Sequence, residues 1–460
     1  MSEHCGYVVK IKELKPHPNA NKLQLTTFFG ETVCVDLNVQ LDDIGIYFPS
    51  DLQLSLEYCD INNLCRTKAD GSPDTGYLDR EKRNIKAIRL RGEKSYGIYM
   101  PISSLEFTGI DLHELVVGAP ITVINGHVIA EKYIPRSNNS AHSHFSGNRT
   151  RKKKAPIAPL FAEHADTEQL AYNLGAFKSG DYVEITLKMH GTSQRTGYLP
   201  RLTGYKRTLW DRITRKEGTP VYDYGCVSGT RRTVLEDYSG GYYGDNAFRE
   251  PHSKVFEGKL HKGETVYYEV VGFTTSGQPI MGDADNMKLN DKEFVKQYGK
   301  TTTFSYGCVP TPEMHYADLN DLDTAYIVPQ SDIYVYRMTL TTDEGYAVEY
   351  TPDFMRYRCE QMGVKTVPLL WAGIIPENPG ASYDYTITPG EWIQNKAEQY
   401  YDGPDPIGKT HVREGVVVRI VNRPKFTAFK TKNHNFKILS GIIVDSIDVN
   451  SFSEDILTEL

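Results

Sequence analysis

A lysine stands at the end of an alternating run, Glu184-Ile185-Thr186-Leu187-Lys188, and is followed at once by Met189-His190-Gly191. A strand that ends this way presents its terminal amine to a ligand, and Gly191 lets the backbone bend and approach that ligand closely. Two glutamates follow far along the chain: Glu269, and Glu414 directly before Gly415. Then come Lys430 and Lys432. Residues two apart in a strand face one side, so these lysines would set two cations on a single surface, which is costly unless an anion lies there. Taken singly, each feature is weak. Lys-x-x-Gly is a common tetrapeptide, and a strand with two lysines is ordinarily an exposed edge. In this order they suit covalent transfer of a nucleotidyl group through a lysine.

The elements that must position these residues lie between Leu160 and Leu439. Hydrophobic alternation predicts strands over Tyr182–Met189, Val266–Val271, Ile333–Leu340, Val416–Val421 and Thr427–Thr431. Helical periodicity and start signals predict helices over Thr167–Leu174, Lys292–Tyr298, Thr351–Met362 and Gly390–Tyr400, with Asp166 as the N-cap of the first. A nucleotide contact by Asp166 stays open. Upstream, Tyr7–Ile11, Leu23–Phe29, Thr32–Asp36, Ile44–Phe48, Ile85–Arg89 and Ile121–Ile124 read as short strands between turns, which fits a compact β-barrel. The expected organisation is a domain over 1–135, a polar and basic linker over 136–159, a larger α+β domain over 160–440, and a tail over 441–460 with a short helix near Ser453–Leu460. The linker's basic run, Arg149–Lys154, suits either a solvated segment or contact with phosphate.

Set together, these segments resemble the motifs of the covalent nucleotidyltransferases, the superfamily of polynucleotide ligases and mRNA-capping enzymes. Lys188–Ser193, KMHGTS, resembles motif I as RNA ligases carry it. Tyr267–Gly272 is similar to motif III and Arg413–Arg419 to motif IV. Phe429–Lys432 resembles motif V, with Asn433, Phe436 and Lys437 extending the match. The resemblance implies a ligase-type, ATP-grasp-like adenylation domain of antiparallel sheets with helices. It also implies roles: Lys188 as nucleophile, with Leu187, His190, Gly191 and Ser193 around the nucleotide; Glu269 on the ribose; Glu414 on a divalent ion, Mg²⁺ or Mn²⁺; and Lys430 and Lys432 on the α-phosphate. In Asp332–Met338, Tyr336 is the match to the residue that stacks on adenine, with Tyr334 as the alternative. In Val227–Thr233, Arg232 matches the arginine of motif Ia, with Arg231 close behind. The interval from Lys188 to that arginine is lengthened by Tyr198–Tyr224, whose basic residues suit either a solvated insertion or part of a nucleic-acid groove.

The chemistry explains the choice of lysine. A neutral amine attacks the α-phosphorus of ATP and expels pyrophosphate, leaving a phosphoramidate. Free lysine titrates near ~10.4, so bringing it to about 7 takes roughly 4.6 kcal/mol. One cation about 4 Å away at an effective dielectric near 20 supplies roughly 4 kcal/mol. On sequence grounds the amine is therefore expected among positive charges.

The first region narrows the choice within the superfamily. His17–Leu23 and Arg91–Ile98 resemble segments of OB-fold tRNA-binding domains. An OB-like module before motif I, with no room for one after motif V, is similar to the Deinococcus-type RNA ligases. That resemblance implies ATP-dependent sealing of 3′-OH/5′-phosphate ends, with nicked duplex RNA or an RNA/DNA hybrid as partner. A capping guanylyltransferase would use GTP instead, a DNA ligase would seal an all-DNA nick, and a non-enzymatic nucleic-acid-binding protein would take neither nucleotide.

Bulk properties agree with a globular protein of two or three domains: 460 residues, 39% hydrophobic and 24% charged. No stretch approaches the roughly 20 apolar residues of a membrane helix, and the N-terminus lacks the pattern of a secretory signal. Seven cysteines without a CxxC pair favour free thiols and a cytoplasmic setting. The net charge of −7 argues against a nucleic-acid coat while allowing a local basic groove.

Overall fold

A computed structural model describes residues 5–133, 155–208, 210–211, 218–239, 246–318, 321–379 and 387–440, apart from 51, 69, 74, 75 and 166. Most of the expected linker and the whole tail over 441–460, including its helix over 453–460, lie outside the described residues. So do Asp166, Arg149–Lys154, Arg212, Arg215 and Lys216. The chain divides into two compact units: Met1–Ser146 with Lys288–Asn290 and Lys437–Leu460, and Gly147–Met287 with Asp291–Phe436.

The second unit carries two large, mainly antiparallel sheets beside two small two-stranded ones. Its labelled strands are β1 (Glu168–Gln169), β2 (Tyr182–Lys188), β3 (Thr192–Lys206), β4 (Thr219–Gly229), β5 (Val234–Leu235), β6 (Glu264–Gly272), β7 (Ser331–Thr341), β8 (Ala347–Glu349), β9 (Leu369–Ile374), β10 (Gly415–Ile420) and β11 (Thr427–Lys432). A five-stranded sheet runs β1-β11-β10-β2-β9, antiparallel but for the β1–β11 pair, and a six-stranded sheet runs β5-β4-β3-β6-β7-β8. Among the unit's helices are α1 (Lys292–Tyr298), α2 (Pro352–Met362) and α3 (Pro389–Tyr401), of which α2 and α3 pack on the sheets.

Strand alternation decides which face of each sheet is apolar. Val183 and Ile185 of β2, Val416, Val418 and Ile420 of β10, and Phe429 of β11 pack with Ile393 and Ala397 of α3. The intervening residues are thereby turned to the opposite face. In the other sheet, Val266, Tyr268 and Val270 of β6 pack with Ile333 and Val335 of β7 and with Met355, Cys359 and Met362 of α2. The helix starts follow the expected chemistry. Thr351 caps α2 by accepting from the Phe354 N–H, and Thr388 caps α3 in a reciprocal capping box with Glu391.

The helix expected over Thr167–Leu174 is not formed. Glu168 and Gln169 pair in parallel with Phe429 and Lys430, and only 3₁₀ turns follow, at Leu170–Tyr172 and Leu174–Ala176. The Asn173 side-chain amide occupies the Gln169 carbonyl (2.8 Å), where a helical N–H would otherwise bind.

In the first unit, a four-stranded sheet orders Pro120–Ile121, Gly6–Lys10, Ile44–Phe48 and Ile98–Pro101, beside a three-stranded sheet of Lys15–Pro16, Leu23–Phe28 and Glu31–Asp36. The strand expected over Ile85–Arg89 begins only at Ile88, and that over Ile121–Ile124 is split in two. Among the described residues the sheets stay separate and no closed barrel forms. The outer strand Pro120–Ile121 opens with a proline, which has no N–H to continue the pairing. The two segments that resemble tRNA-binding domains do meet: His17 Nε2 donates to the Leu90 carbonyl (3.1 Å) and Asn19 Nδ2 to the Arg91 carbonyl (2.9 Å).

Candidate active site

The register of β2, β10 and β11 brings together residues more than two hundred positions apart in sequence. Lys188 pairs with Gly415, which pairs on its other side with Lys432. One row along, Thr186 pairs with Val417 and Val417 with Lys430. In the next row, Glu184 pairs with Arg419 and Arg419 with Ala428. All belong to the sheet face opposite the α3 core. Much of that face (Glu184, Thr186, Lys188, Val417, Arg419 and Ala428) lines a cavity of about 660 Å³. Gly415 is needed in the first row. Its φ is +150°, and a Cβ there would lie 2.1 Å from the Thr431 carbonyl oxygen.

Glu414, one residue before this row, gathers the charges. Its Oε1 lies 2.6 Å from Lys188 Nζ and 3.3 Å from Lys432 Nζ, and its Oε2 lies 3.5 Å from His190 Nδ1. Burial works against the charge on Glu414, which is 2% exposed, yet Lys188, Lys432 and His190 together hold its carboxyl well below the ordinary range. Burial likewise pulls the Lys432 amine below the usual lysine range, with Glu414 working against it. Burial also lowers the His190 imidazole, which packs edge-on between Phe304 and Phe436, each ring centre 4.7 Å away. The positive charge expected around Lys188 does not stand alone. The charge nearest this lysine is the carboxylate of Glu414, and Lys432 sits on that same oxygen.

The six-stranded sheet supplies other walls. A Cβ on Gly191 would lie 2.5 Å from the Val270 carbonyl oxygen and 2.9 Å from Glu269 Cγ, so the turn after Lys188 presses directly on the Glu269 strand. Ser193 pairs with Glu269 in the ladder, and both line the cavity. Enclosure pushes the Glu269 carboxyl up to about 8, with the nearby Lys188 opposing and Glu414 adding to the shift. The β6–β7 ladder shifts register between Tyr267 and Tyr268, which pair with Arg337 and Val335, leaving Tyr336 as the extra residue of a bulge. Tyr336 enters the cavity, with its hydroxyl 3.0 Å from Ser193 Oγ and its ring edge-to-face with His164 at 5.4 Å. Tyr334 is buried (5% exposed) outside the cavity lining. Of the two candidate arginines, Arg231 lines the cavity and Arg232 does not. Leu187 lines it, whereas His190, Glu414, Lys430 and Lys432 stand beyond its lining.

Several charged residues of the cavity escaped sequence reasoning. Arg249, 3% exposed, donates to Thr192 Oγ1 (2.6 Å), the Ser193 carbonyl (3.2 Å) and Asn246 Oδ1 (3.1 Å), fixing the strand that follows Lys188. No motif marks it. At the far end, Arg356 makes a two-pronged pair with Glu184 (3.0 and 2.7 Å). Arg419 donates to the Tyr350 carbonyl (2.9 Å) and lies over the Phe426 ring, 5.0 Å from its centre. Arg419 closes the segment that resembles motif IV, and its parity with Val417 was a usable signal.

No family model and no curated protein matches this chain. Among solved structures it is similar to the RNA ligase of Naegleria gruberi. The structure of that ligase with PPi aligns at a TM-score of 0.55 and 16% identity, covering 94% of this chain and 98% of the other. A variant of the same ligase solved with ATP and Mn gives a TM-score of 0.53 at 16% identity, over 94% and 98%. A variant with AMP and Mn gives 0.52 at 16%, over 94% and 97%. At such identity the likeness is one of fold, and it extends over nearly the full length of both chains.

Proposed function

We propose that this protein is an ATP-dependent RNA ligase of the Deinococcus type, which forms a lysyl-AMP on Lys188 and seals 3′-OH/5′-phosphate ends. The substrate we favour is a nick in a duplex whose 3′ end is RNA, acted on in the cytoplasm. The observation that carries this reading is the row Lys188–Gly415–Lys432 with Glu414 between the two amines, whose Lys188 lines a cavity of nucleotide size. Likeness of fold to an RNA ligase solved with ATP and Mn adds to it.

In this reading the Lys188 ammonium leaves its ion pair with Glu414, gives up a proton to water and attacks the α-phosphorus of ATP as the neutral amine, a second N–H proton passing to water as the phosphoramidate forms. The N–P bond forms, the bond to the β-phosphate oxygen breaks, and pyrophosphate departs. The AMP then passes to a 5′-phosphate, and attack by the 3′-OH releases it. Lys432 and Lys430 balance charge on the phosphate, while Glu269 meets the ribose and Tyr336 the adenine. Arg231 is the better-placed partner for ribose or phosphate, since it faces the cavity. The work of this chain is mainly positioning and charge stabilisation. A divalent ion fits Glu414, whose buried Oε2 has no hydrogen-bond partner. Among the described residues no three His, Cys, Asp or Glu side chains cluster as a ready cage. An ion that keeps several waters, such as Mg²⁺ or Mn²⁺, suits so sparse a donor set and would add positive charge beside the triphosphate. The first unit, with its OB-like segments, would hold the RNA.

Labelled ATP tests the reading. Incubation with Mg²⁺ or Mn²⁺ should yield an acid-labile AMP adduct that is absent from Lys188→Ala, a loss of roughly 10³-fold or more. Lys430→Ala and Lys432→Ala should reduce it strongly. Labelling by GTP in place of ATP, or no labelling at all, would overturn the proposal.

A further inference from the structure

β3 and β4 continue well past the sheet that anchors them. β6 pairs only with Thr192–Gly197, and β5 only with Ser228 and Gly229. From Tyr198 to Lys206 and from Thr219 to Val227 the two strands pair as a two-stranded ribbon, tied down near its base where the Tyr198 carbonyl accepts from the Gly263 N–H (2.9 Å) and the Leu202 N–H donates to the Ile157 carbonyl (2.8 Å). Nine residues per strand, at about 3.3 Å per step, give it a reach of roughly 26 Å. Its root is the active site itself, since Thr192 and Ser193 line the cavity.

The outer ribbon has the composition of a surface for a polyanion. Its described residues carry Arg201, Lys206 and Arg207 against Asp211 and Asp223, in a chain whose net charge is −7. Arg201, Lys206 and Arg207 are all exposed. Just past the strand end, Trp210 is 75% exposed. An exposed indole among cations is costly to maintain in water for its own sake, and it is the usual equipment for stacking on a base beside phosphate contacts.

We infer that this ribbon is an RNA-binding arm, in which Arg201, Lys206 and Arg207 hold the phosphate backbone of the duplex flanking the sealing site and Trp210 stacks on a base. The inference rests on the ligase reading of the cavity and extends it to the substrate. Contacts of this kind read backbone and shape, because side chains cannot enter the narrow major groove of A-form RNA.

The test uses the full-length protein and a nicked RNA duplex, with binding measured across a salt series. The combined change Arg201→Gln, Lys206→Gln and Arg207→Gln should raise Kd roughly ten- to hundredfold and lower the slope of log K against log salt by about 2 to 3. Trp210→Ala should weaken binding about five- to tenfold at every salt concentration, with the slope unchanged. Both variants should form the AMP adduct at the wild-type rate, which also reports correct folding. Adduct formation with unchanged RNA affinity and slope would overturn the arm and leave the ligase reading standing; the exposed ribbon would then suit a protein partner. Loss of RNA affinity in the variants of a wild type that forms no adduct would keep the arm and sink the ligase reading.

Discussion

The two sheets that wall the cavity are built on different principles. In the five-stranded sheet, the regular ladders of β2, β10 and β11 place Lys188 and Lys432 in one row and Lys430 in the next, and the sheet's register shift falls on the β2–β9 side. In the six-stranded sheet, regular pairing is interrupted where the cavity needs it. The bulge opposite Tyr267 and Tyr268 makes Tyr336 the supernumerary residue, and Arg249 reaches in from outside the sheet to hold Thr192 and Ser193. Charge divides the same way. The sheet that ends in Lys188 concentrates cations on one carboxylate held well below the ordinary range, Glu414, while the other sheet holds a carboxyl, Glu269, that enclosure raises to about 8. A wall made by register tolerates no slip, whereas a wall made by an irregularity can be adjusted one side chain at a time.

The sharpest way to break this contrast is to disturb the register wall. Gly415→Ala would force a Cβ to within 2.1 Å of the Thr431 carbonyl oxygen. It should cost roughly 3 kcal/mol of stability in chemical denaturation and abolish adduct formation even in the fraction that remains folded. Wild-type labelling by that variant would mean that the row is not what positions Lys188.

A smaller effect separates the two carboxylates by pH. Because the folded state raises Glu269 from 4.5 to about 8, it retains a proton that the unfolded chain releases, so this group's contribution to stability falls as pH rises through that window. Glu269→Gln should therefore melt higher than wild type by several degrees near pH 8, with the difference shrinking towards zero by about pH 4.5. A pH-independent difference would show that enclosure of Glu269 is not the cause. Smallest of all, Tyr336→Phe removes the hydroxyl contact with Ser193. It should raise the ATP concentration for half-maximal labelling about fivefold, corresponding to ~1 kcal/mol, while Tyr334→Phe leaves it unchanged. Equal effects would erase the distinction the bulge creates.

Long strands with clean alternation were readable in advance, since a buried face every second residue leaves little choice of orientation. Tyr182–Lys188 and Thr427–Lys432 each lie within one residue of expectation. Capped helices were readable too, because Thr351 and Thr388 announce their starts locally. Thr167–Leu174 misled because its polar, helix-compatible pattern yields to a parallel pairing with Phe429 and Lys430 that no local signal encodes. For the same reason the first unit's strands were found while their assembly was not.

Residue type and local spacing thus determined which groups could act: a strand-end lysine, two lysines on one face, and glycines where a Cβ cannot fit. Tertiary structure decided which of them meet. It set Glu414 rather than a cation nearest Lys188, admitted Arg231 and Tyr336 to the cavity in place of their neighbours, and recruited Arg249. Pairing between strands hundreds of residues apart, and a one-residue bulge within it, depend on the energy of the whole packed unit, and no short segment contains that information.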